Sequence, residues 1–252
     1  MPSNKTTAPS NPTSPPKRPV GRPSTRQKAE MEASSVDRRS LLLEVSGQLF
    51  AEFGFESTTV RQIADKVHLL PGSLYYYYPN KEDILHEIIR EPVAKTARDN
   101  LRISALNLDA EHLLVANVIA RIYRFIDSWA AFTILQNDRK FLSRHEDFQY
   151  VDAVKDRSID LLQSTLHSGM ESGLFRPDLD TSLMIGAISR MLNSAATLFR
   201  SGDIFSMEDA HTYSLDEVID FYLDCILRMV RNPVRIETPI PRALCQDLMI
   251  DR

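Results

Sequence analysis

The chain is poor in the residues that build cross-linked, sheet-rich or membrane-spanning folds. Of its 252 residues only two are cysteines, Cys225 and Cys245, and only eight are glycines. Two cysteines so far apart make neither a disulfide framework nor a zinc site. They suit a reducing, cytosolic compartment. No apolar run approaches the roughly 18 residues of a membrane span. The N-terminus lacks the apolar core of a signal peptide, so no secretory leader is expected. Glycine is scarce against an average usage of about 7%. Proline is crowded at one end. Seven of the 14 lie in the first 23 residues, and only Pro71, Pro79, Pro92 and Pro177 fall between 24 and 232. So few turn residues over so long a stretch argue against an all-β sandwich. They predict an all-α chain of helices joined by short turns. The length allows one or two domains.

What is present is ordinary globular material, 43% hydrophobic and 25% charged, enough for a packed core. The net charge of −4 hides an asymmetry. Lys5, Lys17, Arg18, Arg22, Arg26 and Lys28 occupy the first 28 residues with no acid among them. Up to residue 95 there are 13 basic and 11 acidic side chains, and beyond it 17 and 23. A basic arm precedes an acidic body. Residues 1–35 are rich in Pro, Ser, Thr and Asn, bury little apolar surface, and are expected to be disordered. Within them, Lys17-Arg18-Pro19-Val20-Gly21-Arg22-Pro23 resembles the core of an AT-hook. In that motif the prolines hold the chain extended and arginine enters the narrow A·T minor groove. Arg18 and Arg22 are the expected contacts, although Val20 stands where a second arginine is usual. The bland alternative is a solubilising tail.

From Ser40 helical periodicity begins. Leu42, Val45, Leu49 and Phe53 share one helix face, and Gly54 follows as a stop. Thr59 and Gln62 have capping-box spacing, which starts a second helix carrying Val60, Ile63, Ala64 and Val67. After His68-Leu69-Leu70, a third helix starts at Pro71 and ends before Pro79. Asn80 caps a fourth, which begins Lys81-Glu82-Asp83. Two short helices joined by a tight turn and braced by a preceding helix form a helix-turn-helix. The second would lie in the major groove with its N-terminal residues toward the bases. Gly72 allows close backbone approach, Ser73 donates or accepts, and Tyr75 and Tyr76 offer hydroxyls to phosphates or base edges. Leu74 and Tyr78, four apart, should face inward.

Thr58-Thr59-Val60-Arg61-Gln62-Ile63-Ala64, Pro71-Gly72-Ser73-Leu74-Tyr75-Tyr76-Tyr77-Tyr78 and Lys81-Glu82-Asp83 together resemble the signature of TetR-family transcriptional regulators. The match runs without gaps from Leu41 to Ile89. The resemblance implies that Thr59 and Arg61 sit near phosphates. It implies that Gly72, Ser73, Tyr75 and Tyr76 belong to the recognition helix, and that Lys81 touches the DNA backbone. Two positions depart from the pattern. His68 replaces the usual turn glycine, where a left-handed backbone costs His more than Gly. Tyr78 replaces the usual phenylalanine.

The expected division is an arm over 1–35, a DNA-binding head over 36–91, a helical body over 92–232 and a tail over 233–252. Helices are expected near 110–128, 130–143, 147–171, 180–200 and 214–231. Gly186, Ala187 and Ser194 permit close helix approach. The last helix is apolar nearly all round, which implies burial on all sides. Leu215, Val218, Ile219, Tyr222, Ile226 and Met229 are therefore expected against a second copy. The resemblance implies a homodimer through the last two large helices. It also implies an effector cavity within the body, for which Arg121, Arg124, Gln136, Asn137, Arg190 and Asn193 are the polar candidates. Gln136-Asn137-Asp138-Arg139 resembles TetR regulators that sense fatty-acid or steroid-derived acyl-CoA thioesters, and arginines at a cavity mouth suit a phosphate-bearing ligand.

The function expected is a cytoplasmic, nucleoid-associated repressor. A homodimer would bind a palindromic double-stranded operator and release it when a small molecule binds. The alternatives are an activator of the same fold and a non-specific architectural DNA protein. No enzyme is expected. The chain has no nucleophile elbow, Walker loop, dinucleotide fingerprint or His-Glu-x-x-His helix. His112, His145, His167 and His211 stand singly. No metal, cofactor or membrane partner is expected.

Overall fold

The computed structural model of the protein describes residues 25–201 and 213–233, and side chains within 37–195 and 213–233. Arg18, Arg22 and the tail beyond residue 233 lie outside the described residues. The chain divides into two compact units, residues 1–40 and 41–252. The described residues form ten α-helices. They are α1 (Thr25–Phe53), α2 (Val60–Lys66), α3 (Pro71–Leu74), α4 (Lys81–Ser104), α5 (Ala110–Asp127), α6 (Trp129–Asn137), α7 (Arg139–Leu142), α8 (Gln149–Glu171), α9 (Thr181–Ser201) and α10 (Leu215–Val230). A single 3-10 turn, Glu146–Phe148, leads into α8. The all-α expectation holds over the described residues.

Each boundary has a local cause. Gly54 ends α1 at φ +85°, which only glycine adopts without strain. The Thr59 side chain accepts from Gln62 N while Gln62 reaches back to Thr59 N, closing the capping box at α2. His68 takes φ +55° in the turn between α2 and α3, the left-handed conformation expected there. The Asn80 and Asp109 side chains cap α4 and α5. A second capping box, Ser214 with Glu217, starts α10. Each cap is worth about 1 kcal/mol.

Three boundaries differ from expectation. The chain is helical from Thr25 rather than disordered to residue 35, because the stretch after Pro23 holds no proline and is rich in Arg, Gln, Lys, Ala and Glu. The third helix is a single turn, Pro71–Leu74. Residues 75–77 continue as turns, with Tyr77 N donating to Leu74 O at 2.9 Å. Pro79 disfavours helical backbone at Tyr78 and tightens the end. The helix expected over 130–143 breaks at Asp138 into α6 and α7. There the Asp138 carboxylate accepts Phe55 N at 3.1 Å through both oxygens.

Two apolar cores result. One gathers Leu42, Leu49, Phe50, Phe55, Ile63, Ala64, Leu74, Tyr78, Ile84, Leu85 and Ile89 from the first four helices and the turns between them. It is not closed by them alone. Ala131, Ile134, Leu142 and Phe148, from α6, α7 and the 3-10 turn, complete it. The expected edge of the head at 91/92 falls inside α4, which runs through Pro92 to Ser104. Phe53, expected inside, is 54% exposed. Gly54 turns the chain so that Phe50 and Phe55 meet edge to face at 5.1 Å and take the interior instead.

The second core surrounds α5, with Leu114, Val115, Val118, Ile119 and Ile122 against residues of α8, α9 and α10. Four of the six α10 residues expected against a second copy pack within the chain itself. Val218, Ile219, Tyr222 and Ile226 are buried in the chain's own core, together with Leu223, Leu227 and Val230. The side left uncovered carries Phe221, 60% exposed. The Tyr222 hydroxyl lies 2.8 Å from that of Ser194 and ties α10 to α9. At the far end of α8, Phe175 is fully buried against Gly169, where a β-carbon would stand 2.0 Å from the ring. Arg176 N donates to Val230 O at 2.9 Å, and Arg231 forks onto Glu111 at 2.9 and 2.7 Å. These bonds lock the turn after α8 and the start of α5 to the end of α10.

Candidate nucleic-acid interface and internal cavity

Around the α2–α3 turn the inward positions are filled and the outward ones are large and bare. Leu74 and Tyr78 are fully buried, as their spacing predicts, while Tyr75 is 52%, Tyr76 86% and Leu70 77% exposed. Gly72 and Ser73 are exposed beside them. A β-carbon on Gly72 would meet nothing within 4 Å, and its φ is not positive. Neither packing nor backbone geometry within the chain calls for glycine there. Thr59 and Arg61 are exposed at the start of α2. Arg61 meets Asp65 only at 3.9 Å, across well-solvated side chains, a pair that costs little to separate.

Lys81 behaves otherwise. Its ammonium donates to Phe55 O at 2.6 Å and Thr58 O at 2.8 Å, with Glu56 O at 3.4 Å, and stands 4.3 Å above the Phe55 ring. Burial lowers its pKa. Expected at the DNA backbone, Lys81 turns its donors here to carbonyls of the chain itself. They hold the α1–α2 turn and so orient Thr59.

Within the body lies a cavity of about 440 Å³, within the range that holds small-molecule ligands. Its walls are largely apolar, including Val93, Phe125, Phe132, Leu135, Leu142, Phe148, Val151 and Ile159. Polar side chains are interspersed among them: Thr96, Arg121, Gln136, Arg139, Ser143, Asp152, Lys155, Ser158, Ser189 and Asn193. Of the candidates chosen by sequence, Arg121, Gln136 and Asn193 line it. Arg124 does not. It is buried in a forked ion pair with Asp99 at 2.6 and 3.3 Å and lines a smaller recess of about 50 Å³ next door. Asn137 is exposed and lines neither space, and Arg190 points outward from α9, reaching only Gly186 O at 3.4 Å. Burial, not residue type, separates these arginines.

Sequence reading missed Arg139 and Lys155. Asp152, Lys155 and Ile159 recur at three and four residues along α8, a stripe that could have marked an inward-facing side. Lys155 is held by Asp152 at 2.8 Å. The reading also missed a shared wall. Leu142 and Phe148 are core residues of the head and also line the cavity.

Three comparisons bear on this arrangement. The model for bacterial regulatory proteins of the tetR family matches residues 42–88. The HTH-type transcriptional repressor KstR2 of Rhodococcus jostii (strain RHA1) is 31% identical over 210 residues, 83% of this chain and 98% of that protein. The repressor of the same name from Mycobacterium tuberculosis (strain ATCC 25618 / H37Rv) is 32% identical over 151 residues, 58% of this chain and 74% of that one. Among solved structures, the ketosteroid transcriptional regulator KstR2 of Mycobacterium tuberculosis superposes with a TM-score of 0.66 at 27% identity, covering 77% of this chain and 95% of that one. Among the described residues, no helix is long and apolar enough to cross a membrane.

Proposed function

This chain belongs to the tetR family of bacterial regulatory proteins, DNA-binding transcriptional regulators, and on that premise we propose how it works. It is a cytoplasmic homodimeric repressor that leaves its operator when an apolar, anionic small molecule fills the cavity of the body. Two copies place their α2–α3 turns about 34 Å apart, one turn of DNA. Gly72, Ser73, Tyr75 and Tyr76 meet the major groove, and Thr59 and Arg61 meet flanking phosphates. The copies associate through the exposed sides of α9 and α10, where Leu183, Ala187, Ser194 and Phe221 lie uncovered. The division into arm, head, body and tail remains part of this proposal. Arg18 and Arg22 reach the minor groove from the arm.

The observation that carries the proposal is the shared wall. A ligand that presses on Leu142 or Phe148 presses on the core beneath the α2–α3 turn, because close-packed interiors transmit strain. Asp138 adds a polar link. It sits between cavity-lining Gln136 and Arg139 and holds Phe55 N in the α1–α2 turn. Moving α6 and α7 therefore moves the surface offered to DNA. The coupling expected is about 1–3 kcal/mol.

The effector class that fits is an acyl-CoA thioester. The apolar walls take the acyl body, and Arg139 and Lys155 at the cavity's accessible side suit phosphates. The test is to select duplexes from a random pool with the full-length protein, then titrate the selected duplex with acyl-CoA thioesters. A preferred palindrome released by thioester supports the proposal. Equal affinity for bulk DNA favours an architectural protein, and a palindrome held regardless of thioester removes the effector class.

A further inference from the structure

The inner side of the cavity is not uniformly apolar. Arg121, on α5, lines both the cavity and the 50 Å³ recess beside it. Of the polar groups around that recess, Asp99, Asn100 and Arg124 have partners. Asp99 is held by Arg124 at 2.6 and 3.3 Å, and Asn100 Nδ2 donates to Ser158 Oγ at 2.8 Å. Ser158 Oγ in turn donates to Val154 O at 3.0 Å. Arg121 is left over. Its Nη1 is enclosed by protein atoms and has no hydrogen-bond partner, while the rest of its side chain lines the cavity, and the neighbouring carboxylate, Asp99, is already taken. A buried guanidinium donor without an acceptor is costly to the fold. A methionine or leucine would fill the same space without that cost. Such a group is accounted for when a ligand supplies the acceptor.

We infer that Arg121 is a specificity-determining residue that receives an oxygen acceptor, a carboxylate or a ketone, carried at the far end of the effector's apolar body. This rests on the reading of the cavity as the effector site, and it narrows the ligand class. A plain hydrocarbon chain leaves Nη1 unsatisfied and is discriminated against. An acyl group oxygenated at both ends satisfies the inner donor and leaves its thioester end toward Arg139.

The test uses the full-length protein and two probe series of equal acyl length. Coenzyme A thioesters ending in a methyl, a ketone or a carboxylate form the first. The same acyl groups as simple alkyl amides, without coenzyme A, form the second. Calorimetric titration of the wild type should show the oxygen-ended members binding about tenfold or more tighter than the methyl-ended member. Arg121→Met should erase or reverse that preference, and Arg121→Lys should keep part of it. Arg121→Met should also melt higher than wild type in the absence of ligand, the opposite of what a structural arginine would show. Equal binding of methyl-ended and oxygen-ended probes, or a preference that survives Arg121→Met, overturns the inference. Preference seen only among the amides supports Arg121 and refutes the coenzyme A reading. Binding in neither series overturns both.

Discussion

Replacing Tyr76 by alanine separates DNA recognition from folding, because the four consecutive tyrosines have opposite environments. Tyr76 is 86% exposed and meets Tyr77 only edge on, at a ring separation of 5.5 Å. Its removal uncovers little, so stability should change by no more than about 0.5 kcal/mol. A hydroxyl bonded to a phosphate is worth about 1.5 kcal/mol or more. A homodimer loses the contact twice, about 3 kcal/mol in all, or roughly 100-fold in operator affinity. Tyr78, 2% exposed, is the internal control. Tyr78→Ala empties the head core and should cost about 3–5 kcal/mol. The measurements are thermal melting and fluorescence anisotropy with a duplex selected by the wild-type protein. If Tyr76→Ala melts normally and binds that duplex as tightly as wild type, the assignment of the α2–α3 turn to the major groove is wrong.

Gly169→Ala drives a β-carbon into the Phe175 ring. It should cost about 1–3 kcal/mol and lower the Tm by on the order of 5 °C, read by calorimetry. Asp138→Ala should leave operator affinity close to wild type but reduce effector-driven release about tenfold, measured by anisotropy with the thioester probes. Burial raises the pKa of Asp138. A carboxyl whose folded pKa is raised favours the fold when protonated, and that contribution is lost as pH rises from its unfolded pKa through its folded one. Asp138→Asn should therefore gain in Tm relative to wild type across that window, and parallel melting curves would refute it. Phe221→Asp should give a folded monomer by sedimentation with normal helix content. Deleting residues 1–28 should weaken DNA binding and flatten its salt dependence, by about one unit of slope per lost phosphate contact. An unchanged slope would make the arm a tail.

Much of the head was legible because its signals are local. Thr59 with Gln62, Asn80 before Lys81, and Gly54 after Phe53 each act within a few residues, and each formed as its spacing predicts. His68 was legible for the same reason, since a tight turn dictates its φ. The hold of Lys81 on the α1–α2 turn was not legible because its partners, the carbonyls of Phe55 and Thr58, lie more than twenty residues away. The stripe on α10 was read as a partner-facing surface because periodicity reports that a face is buried, not what buries it.

By itself the sequence determined the helical class, the helix ends marked by Gly54, Thr59 and Asn80, the turn that presents Gly72, Ser73, Tyr75 and Tyr76, and the family to which these belong. All of these depend on near neighbours in the chain. Only the tertiary structure decided which arginine has a partner. Arg121 and Arg124 lie three residues apart on one helix, yet Arg124 meets Asp99 and Arg121 faces the cavity with Nη1 unsatisfied. Only the tertiary structure decided that α6 and α7 close the head core while lining that cavity. The physical reason is the same in both cases. Burial and pairing are set by groups distant in sequence, which converge only when the helices pack.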